Sequence, residues 1–262
     1  MLLENRTAVV YGGSGRVGSA VASAFAREGA RVFVAGRSIG SLREVADGIM
    51  RAGGRADAIQ VDAVEPEAVD RLVASVVEET GSLDVSFNAI GHGDVHGSPL
   101  LEMPFDDFVR PITTAVRAQF VTTRAAARHM VPRGSGVILG ITATTARMAI
   151  PNVGGTWVTF DAIESQCKQW ARELGASGVR VLWLRTTGLP EGLHGDVFPD
   201  YVGRRPEGLT REELVAWLLG PTALNRLTTL ADVGKAAVFA ASDAASAMTG
   251  CCLNLTCGSV LE

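Results

Sequence analysis

The sequence predicts one α/β domain: a doubly wound parallel sheet of about seven strands with helices on both faces. Apolar, strand-like runs alternate with helix-like segments along the whole chain, which is typical of this fold class. The strand segments are apolar throughout, as expected for strands buried on both faces. A length of 262 residues fits one large domain better than two small ones.

The predicted elements follow one another in regular order. Apolar runs that stop at glycine or polar residues are expected as strands at 7–11, 31–35, 58–61, 83–88, 136–141, 179–184 and 251–255. Segments with helical spacing of apolar residues are expected as helices at 17–27, 41–51, 66–79, 105–130 and 155–175. Right-handed crossovers between parallel strands place a ligand crevice at the carboxyl ends of the strands.

One long segment interrupts this alternation. Residues 186–229 are rich in glycine and proline and contain a single amphipathic piece at 211–219. Connections of this length in a compact domain are usually functional, so we expect a lid or substrate loop in the same domain. His194 and Tyr201 lie in this segment and are candidates for contact with a substrate.

Composition and charge exclude several classes of partner. The formal net charge of −4 argues against a nucleic-acid binder, a class that usually carries a basic surplus. No apolar run reaches the ~18 residues of a membrane span, and no long apolar stretch precedes the first strand. We therefore expect a cytoplasmic protein without a membrane partner, and a small molecule of unknown identity as its ligand.

The strongest motif follows the first strand. Glycines at 12, 15 and 18 permit a tight turn close to a pyrophosphate, and the helix behind them presents free N–H groups and its positive dipole end. The position between a strand and a helix favours a dinucleotide-binding loop over a purely structural glycine turn. The candidate cofactor residues of this loop are Gly12, Ser14, Gly15, Arg16, Val17 and Gly18.

The end of the second strand indicates which dinucleotide is bound. An acidic residue near this place binds the ribose 2′-hydroxyl in NAD-specific sites, whereas this chain has Gly36 followed by Arg37. A guanidinium forms charge-assisted hydrogen bonds with a 2′-phosphate. NADP(H) is therefore favoured over NAD(H); the alternative is that Arg37 is an ordinary surface residue at a helix start.

These features resemble the short-chain dehydrogenase/reductase family, whose members have a single Rossmann-type domain. Besides the glycine loop, the likeness is carried by 60–63, 83–91, 164–174 and 226–258. The resemblance implies that Asp62 and Ala63 contact the adenine of the cofactor. It also implies that Asn88 and Gly91, at the end of the fourth strand, border the cofactor.

The resemblance further implies self-association. The helices at 105–130 and 155–175 correspond to those through which members of the family commonly pair subunits. We therefore expect a homo-oligomer, either a dimer or a tetramer.

The resemblance breaks at the catalytic residues. The family uses a tyrosine that exchanges a proton and a lysine that lowers the pKa of that tyrosine, and an alignment without gaps puts Thr156 and Phe160 at these positions. The serine that binds the substrate oxygen is replaced by Ala143, and the asparagine of the long helix by Ala115. A threonine hydroxyl is far too weak an acid to replace the phenol. Ordinary carbonyl reduction is thus not expected, and restoring tyrosine and lysine would test whether the pocket lacks only its acid.

A polar loop offers one substitute for the missing acid. His92, Asp94 and His96 follow the fourth strand at the edge of the crevice, where His92 is the candidate to face a substrate. The spacing H-x-D-x-H suggests a metal, but a flexible loop imposes no ligand geometry, so we expect no metal site. The alternative for all three side chains is a polar loop exposed to solvent.

Three threonines are further pocket candidates. The hydroxyls of Thr142, Thr144 and Thr156 are expected near the end of the fifth strand and the start of the following helix. Hydroxyl groups orient a carbonyl but do not supply an acid of useful pKa. No catalytic residue can therefore be named from the sequence.

Three functions are consistent with these observations. The first is an NADP(H)-dependent oxidoreductase with a non-standard proton route. The second is a catalytically inactive member of the fold that acts as a binding or regulatory subunit. The third is an enzyme that uses the pocket for non-redox chemistry, such as isomerisation. The retained glycine loop favours cofactor binding. The loss of the family's serine, tyrosine, lysine and asparagine favours the second or the third function.

Overall fold

A computed structural model describes residues 1–192 and 211–262. Its strands form one sheet in the order β3-β2-β1-β4-β5-β6-β7, with every neighbouring pair parallel. The strands are β1 (Thr7–Tyr11), β2 (Arg31–Gly36), β3 (Arg55–Gln60), β4 (Val85–Asn88), β5 (Gly136–Ala143), β6 (Val179–Thr186) and β7 (Cys252–Leu255). The predicted doubly wound parallel sheet is confirmed.

The helices lie on both faces of this sheet. They are α1 (Arg16–Arg27), α2 (Ile39–Arg51), α3 (Pro66–Thr80), α4 (Phe105–Arg133), α5 (Thr156–Leu174), α6 (Arg211–Leu219) and α7 (Leu230–Ala241). One apolar core lies between the sheet and helices α1, α2 and α7, and a second lies between the sheet and helices α3, α4 and α5. None of the helices in the described ranges is long and apolar enough to cross a bilayer.

The third strand differs from its prediction. It begins at Arg55 rather than at residue 58 and follows an alternating pattern in which Arg55 and Asp57 are exposed. This strand forms the edge of the sheet, so it needs no continuous apolar run. Asp57 accepts hydrogen bonds from Arg31 of the neighbouring strand, which ties the edge to β2.

The predicted lid is described only at its two ends. Helix α6 has the same bounds as the amphipathic piece expected at 211–219. His194 and Tyr201 lie outside the described residues, and the lid at 186–229 stays a prediction.

Candidate functional site

The glycine loop after β1 packs tightly against the backbone that follows β4. Gly12 has a φ of +68°, and a Cβ at this position would lie 2.2 Å from the carbonyl oxygen of Ala89. A Cβ on Gly18 would lie 2.3 Å from the carbonyl oxygen of Gly12. Only glycine fits at these two positions, because any side chain would meet the backbone of a neighbouring segment.

The first turn of α1 is open to an anion. Gly15 is the N-cap, no side chain caps the free N–H groups, and the turn contains no acidic residue. Ser14, Gly15 and Arg16 are exposed, and Val17 is partly buried beside them. The positive end of a helix of 12 residues thus faces the crevice at the place where a pyrophosphate would bind.

Arg37 extends from the end of β2 at the rim of the same crevice. Its side chain is exposed and has no hydrogen bond or ion pair with the residues that the structure describes. Its carbonyl oxygen accepts a hydrogen bond of 2.9 Å from Gln60 Nε2, which fixes the backbone at the strand end. The guanidinium is therefore available to an anionic ligand.

The remaining predicted cofactor residues lie at the ends of β3 and β4. Asp62 is exposed and its carboxylate accepts a hydrogen bond from the Val64 N–H, while Ala63 is buried. Asn88 Nδ2 donates to Thr122 Oγ1 at 3.0 Å, and Asn88 Oδ1 accepts from the backbone N–H two residues later at 3.1 Å. Asn88 therefore shapes the turn after β4, and open space surrounds the Cα of Gly91 beyond it.

A compact polar cluster lies where the sequence alignment puts the family's tyrosine. Thr156 is the first residue of α5 and is only 4% exposed. Its Oγ1 lies 2.7 Å from His96 Nε2 and 3.1 Å from Asp94 Oδ1. The loop after β4 therefore does not simply point into solvent, and two of its polar residues contact the start of α5.

Two glycines hold this loop against α5. A Cβ on Gly154 would lie 2.6 Å from the carbonyl oxygen of Val95, and a Cβ on Gly155 would lie 2.1 Å from that of Phe108. The Gly97 N–H donates a 2.7 Å hydrogen bond to the carbonyl of Asn152. The close approach of three backbone segments fixes the position of Asp94 and His96 relative to Thr156.

His92 packs against Phe160, the residue expected at the lysine position. The His92 and Phe160 rings meet edge to face with centroids 5.9 Å apart. Burial lowers the pKa of His92 below its usual range, and the nearby Asp94 carboxylate opposes this shift in part. A neutral imidazole on a phenyl ring thus lies where the alignment puts an ammonium group.

The predicted threonine pocket is only partly formed. Thr142 is 1% exposed, and its Oγ1 donates to Glu164 Oε1 at 3.0 Å, so this hydroxyl faces α5 rather than a ligand. The expectation that Thr142 lines the pocket therefore disagrees with the structure, because its hydroxyl donates its hydrogen bond to a buried carboxylate. Thr144 lies partly exposed in a short 3₁₀ turn directly after β5.

Glu164 belongs to an ion-pair network that the sequence did not reveal. Arg185 Nε and Nη2 donate to the two Glu164 oxygens at 2.8 Å each, and both side chains are at most 1% exposed. Arg147 also donates to Glu164, and Glu262 accepts from Arg185 Nη1 at 2.6 Å. The network joins β5, β6 and α5 at the carboxyl end of the sheet.

No metal site emerges from the described part of the chain. Across residues 1–192 and 211–262, no three His, Cys, Asp or Glu side chains converge as metal ligands. The three polar side chains of the loop after β4 contact different partners. His92 packs on Phe160, whereas Asp94 and His96 both contact Thr156.

Comparisons with known proteins agree with the fold. The family model described as enoyl-(acyl carrier protein) reductase matches residues 14–187, which is more than half of the chain. L-rhamnose 1-dehydrogenase (NAD(P)(+)) of Azotobacter vinelandii is 31% identical over 97% of this chain and 96% of its own. The chain belongs to the short-chain dehydrogenase/reductase family.

Other members of the short-chain dehydrogenase/reductase family match over similar lengths. Gluconate 5-dehydrogenase of Gluconobacter oxydans is 29% identical over 95% of this chain and 92% of its own. The crystal structure of NAD⁺-bound xylitol dehydrogenase superimposes with a TM-score of 0.89 over 98% of this chain and 100% of that chain, at 22% identity. Membership of the family implies binding of a nicotinamide dinucleotide, which the uncapped N-terminus of α1 fits.

Proposed function

We propose that this protein is an NADP(H)-dependent oxidoreductase with a non-standard active site. The observation that supports the proposal best is the unpaired Arg37 at the crevice that also holds the uncapped first turn of α1, where Ser14, Gly15 and Arg16 are exposed. When bound, the dinucleotide supplies or accepts a hydride. The residues that would hold it are Gly12, Ser14, Gly15, Arg16, Val17, Gly18, Arg37, Asp62, Ala63, Asn88 and Gly91.

The substrate pocket lies at the carboxyl ends of β4 and β5 in this proposal. Its candidate lining in the described residues is His92, Thr144 and Thr156, together with Asp94 and His96. Ala143, Thr156 and Phe160 stand at the serine, tyrosine and lysine positions, so the usual tyrosine and lysine take no part in proton transfer. If neither dinucleotide binds, the protein is instead an inactive member that acts as a binding or regulatory subunit, or an enzyme with non-redox chemistry.

The preference for NADP(H) leads to a prediction at Arg37. Arg37→Ala is expected to weaken NADPH binding about 10–100-fold and to leave NADH binding unchanged, because hydrogen bonds between charged groups contribute about 1.5–3 kcal/mol. Arg51→Ala, which removes an exposed arginine at the far end of α2, is the matched control. Titration followed by nucleotide fluorescence measures both affinities. Equal losses for NADPH and NADH in Arg37→Ala would contradict a 2′-phosphate contact.

Self-association through α4 and α5 is the second part of the proposal. Phe120 on α4 and Trp157 and Val158 on α5 are large apolar side chains that are exposed by 44%, 38% and 45%. We expect sedimentation velocity to show a dimer or tetramer, and Phe120→Asp to shift the protein towards monomer. A wild-type profile with monomer alone would contradict this expectation.

A further inference from the structure

We propose that this protein has a second ligand site, which binds the phosphate group of a small molecule at the amino edge of the sheet. This inference goes beyond the proposed function and does not depend on it. The site is a cavity of about 690 Å³ between the end of α5 and the segment that precedes β7. The polar side chains that line it are Lys168, Arg172 and Thr249, and the other lining residues are alanines and glycines.

The cavity is separate from the crevice that would hold the dinucleotide. Gly175 and Ala176 precede β6, and Thr249 and Gly250 precede β7, so the cavity lies where these two parallel strands begin. The glycine loop and the loop after β4 lie where their strands end, at the opposite edge of the sheet. A ligand in the cavity would therefore not compete with the dinucleotide.

The two cations of the cavity lack a counter-charge within the described part of the chain. Lys168 and Arg172 are exposed, and neither forms an ion pair or a hydrogen bond with a residue that the structure describes. They are four residues apart on α5, a spacing at which side chains of like charge are neighbours and repel each other. No carboxylate side chain lines the cavity to offset them.

The carboxylates of α5 are engaged away from the cavity. Asp161 and Glu164 both accept hydrogen bonds from Arg147. Glu173 accepts a hydrogen bond from Gln169. The charge of the cavity is therefore positive, and an anion from solution is the ligand that suits it.

Structural roles account for these cations only in part. Arg172 lies in the last turn of α5, where a positive charge is favoured by the helix dipole, but this effect falls off within one turn and does not reach Lys168. Lys168 Nζ lies 5.8 Å from the centroid of the Trp183 ring, a cation–π contact that occupies one side of the ammonium group. Both cations keep hydrogen-bond donors for a ligand.

The donors of the cavity suit a phosphate group better than a carboxylate. A phosphate monoester carries a charge of about −1.5 to −2 at neutral pH and three acceptor oxygens. Lys168 and Arg172 together balance that charge, whereas a carboxylate would leave one of them unpaired. The Thr249 hydroxyl accepts a 3.0 Å hydrogen bond from the Val181 N–H, and its own hydrogen has no acceptor among the described residues, so it is a third donor.

The size of the cavity leaves room for an organic part of the ligand. A volume of about 690 Å³ lies within the range of roughly 300–1,000 Å³ that is typical of small-molecule pockets. Alanine and glycine make up the rest of the lining, so this part of the ligand would lie against a small, uncharged surface. We therefore expect an organic phosphate to bind more tightly than inorganic phosphate.

The first test follows the indole N–H signal of Trp183 by nitrogen-15 NMR, because Lys168 lies on this ring. Trp183→Phe identifies the signal among those of the four tryptophans. We expect glycerol 3-phosphate to shift it saturably with a Kd below about 1 mM, and glycerol or sodium chloride at equal ionic strength to leave it in place. Equal affinity for inorganic phosphate would identify free phosphate as the ligand. No saturable shift at up to about 10 mM glycerol 3-phosphate would overturn the proposal.

The second test measures the affinity for glycerol 3-phosphate by isothermal titration calorimetry. Lys168→Gln and Arg172→Gln should each weaken binding about tenfold, since each removes a charge-assisted hydrogen bond. Lys235→Gln, which removes an exposed lysine of α7, is the matched control for the lost charge. Phosphate bound at the glycine loop would be unaffected by the first two variants. Affinities in Lys168→Gln and Arg172→Gln equal to that of the control would therefore overturn the proposal.

The third test places a carboxylate in the cavity. Ala176 is one of the lining residues, so the side chain introduced by Ala176→Glu can pair with the two cations and should abolish binding of glycerol 3-phosphate. Ala176→Gln introduces a side chain of the same size without the charge and should keep most of the binding. Binding by Ala176→Glu as tight as that of Ala176→Gln would contradict an anion site at this cavity.

Discussion

Arg185→Leu is expected to lower the free energy of unfolding by about 3–5 kcal/mol, because it removes one partner of a buried ion pair. Arg185 and Glu164 are at most 1% exposed and share two hydrogen bonds of 2.8 Å. Burial alone would lower the pKa of Arg185, but its hydrogen bonds to Glu164 and Glu262 raise it above the usual value. Without Arg185, the partners of the Glu164 carboxylate among the described residues would be Arg147 and the Thr142 hydroxyl.

Two further variants show whether the stability lost in Arg185→Leu comes from the unpaired Glu164 carboxylate or from the loss of packing. Glu164→Leu combined with Arg185→Leu should recover most of the stability, since replacing a buried pair with apolar residues is often neutral or stabilising. Glu262→Gln should cost less than about 1 kcal/mol, because this partner of Arg185 is 41% exposed. Urea unfolding at constant pH measures all three. A double variant as unstable as Arg185→Leu would show that packing, not the unpaired carboxylate, sets the cost.

The sequence predicted those parts of the protein that depend on nearby residues. The alternation of strands and helices, the glycine loop and Arg37 at the end of β2 are short-range patterns, and the structure confirms the parallel sheet that follows from them. The edge strand β3 was placed too late because its Arg55 and Asp57 interrupt the expected apolar run. Its position in the sheet, which a local pattern does not contain, explains that difference.

The polar cluster and the ion-pair network depend on contacts between distant residues. His96 and Thr156 are 60 residues apart, and their contact depends on the path of a loop that is set by Gly154 and Gly155. A glycine pair before a helix was a visible signal, but periodicity does not show what approaches it. Arg185, directly after the apolar run 181–184 of β6, was a sign of a buried carboxylate, since a buried charge needs a partner.

The contact of Thr156 with the loop also changes the expected result of restoring the family's catalytic residues. Ala143→Ser, Thr156→Tyr and Phe160→Lys together are expected to give a protein that binds NADPH but reduces phenanthrenequinone more slowly than wild type. Thr156 is 4% exposed and touches His96 and Asp94, so a phenol ring has no space there. Overpacking of this kind should cost about 1–3 kcal/mol of stability. Glu44→Tyr, at an exposed position of α2, is the control for introducing a phenol.

Removing the imidazole of His96 should restore both the stability and the reductase activity that the triple variant loses. Adding His96→Gly to the triple variant vacates the space beside position 156, so we expect stability to return to within about 1 kcal/mol of wild type. Reductase activity should then rise above that of the triple variant, with a pH profile set by the new tyrosine and lysine. Urea unfolding and the pH dependence of kcat measure the two effects separately. A triple variant that is stable and active while it keeps His96 would show that the imidazole does not occupy the place of the phenol.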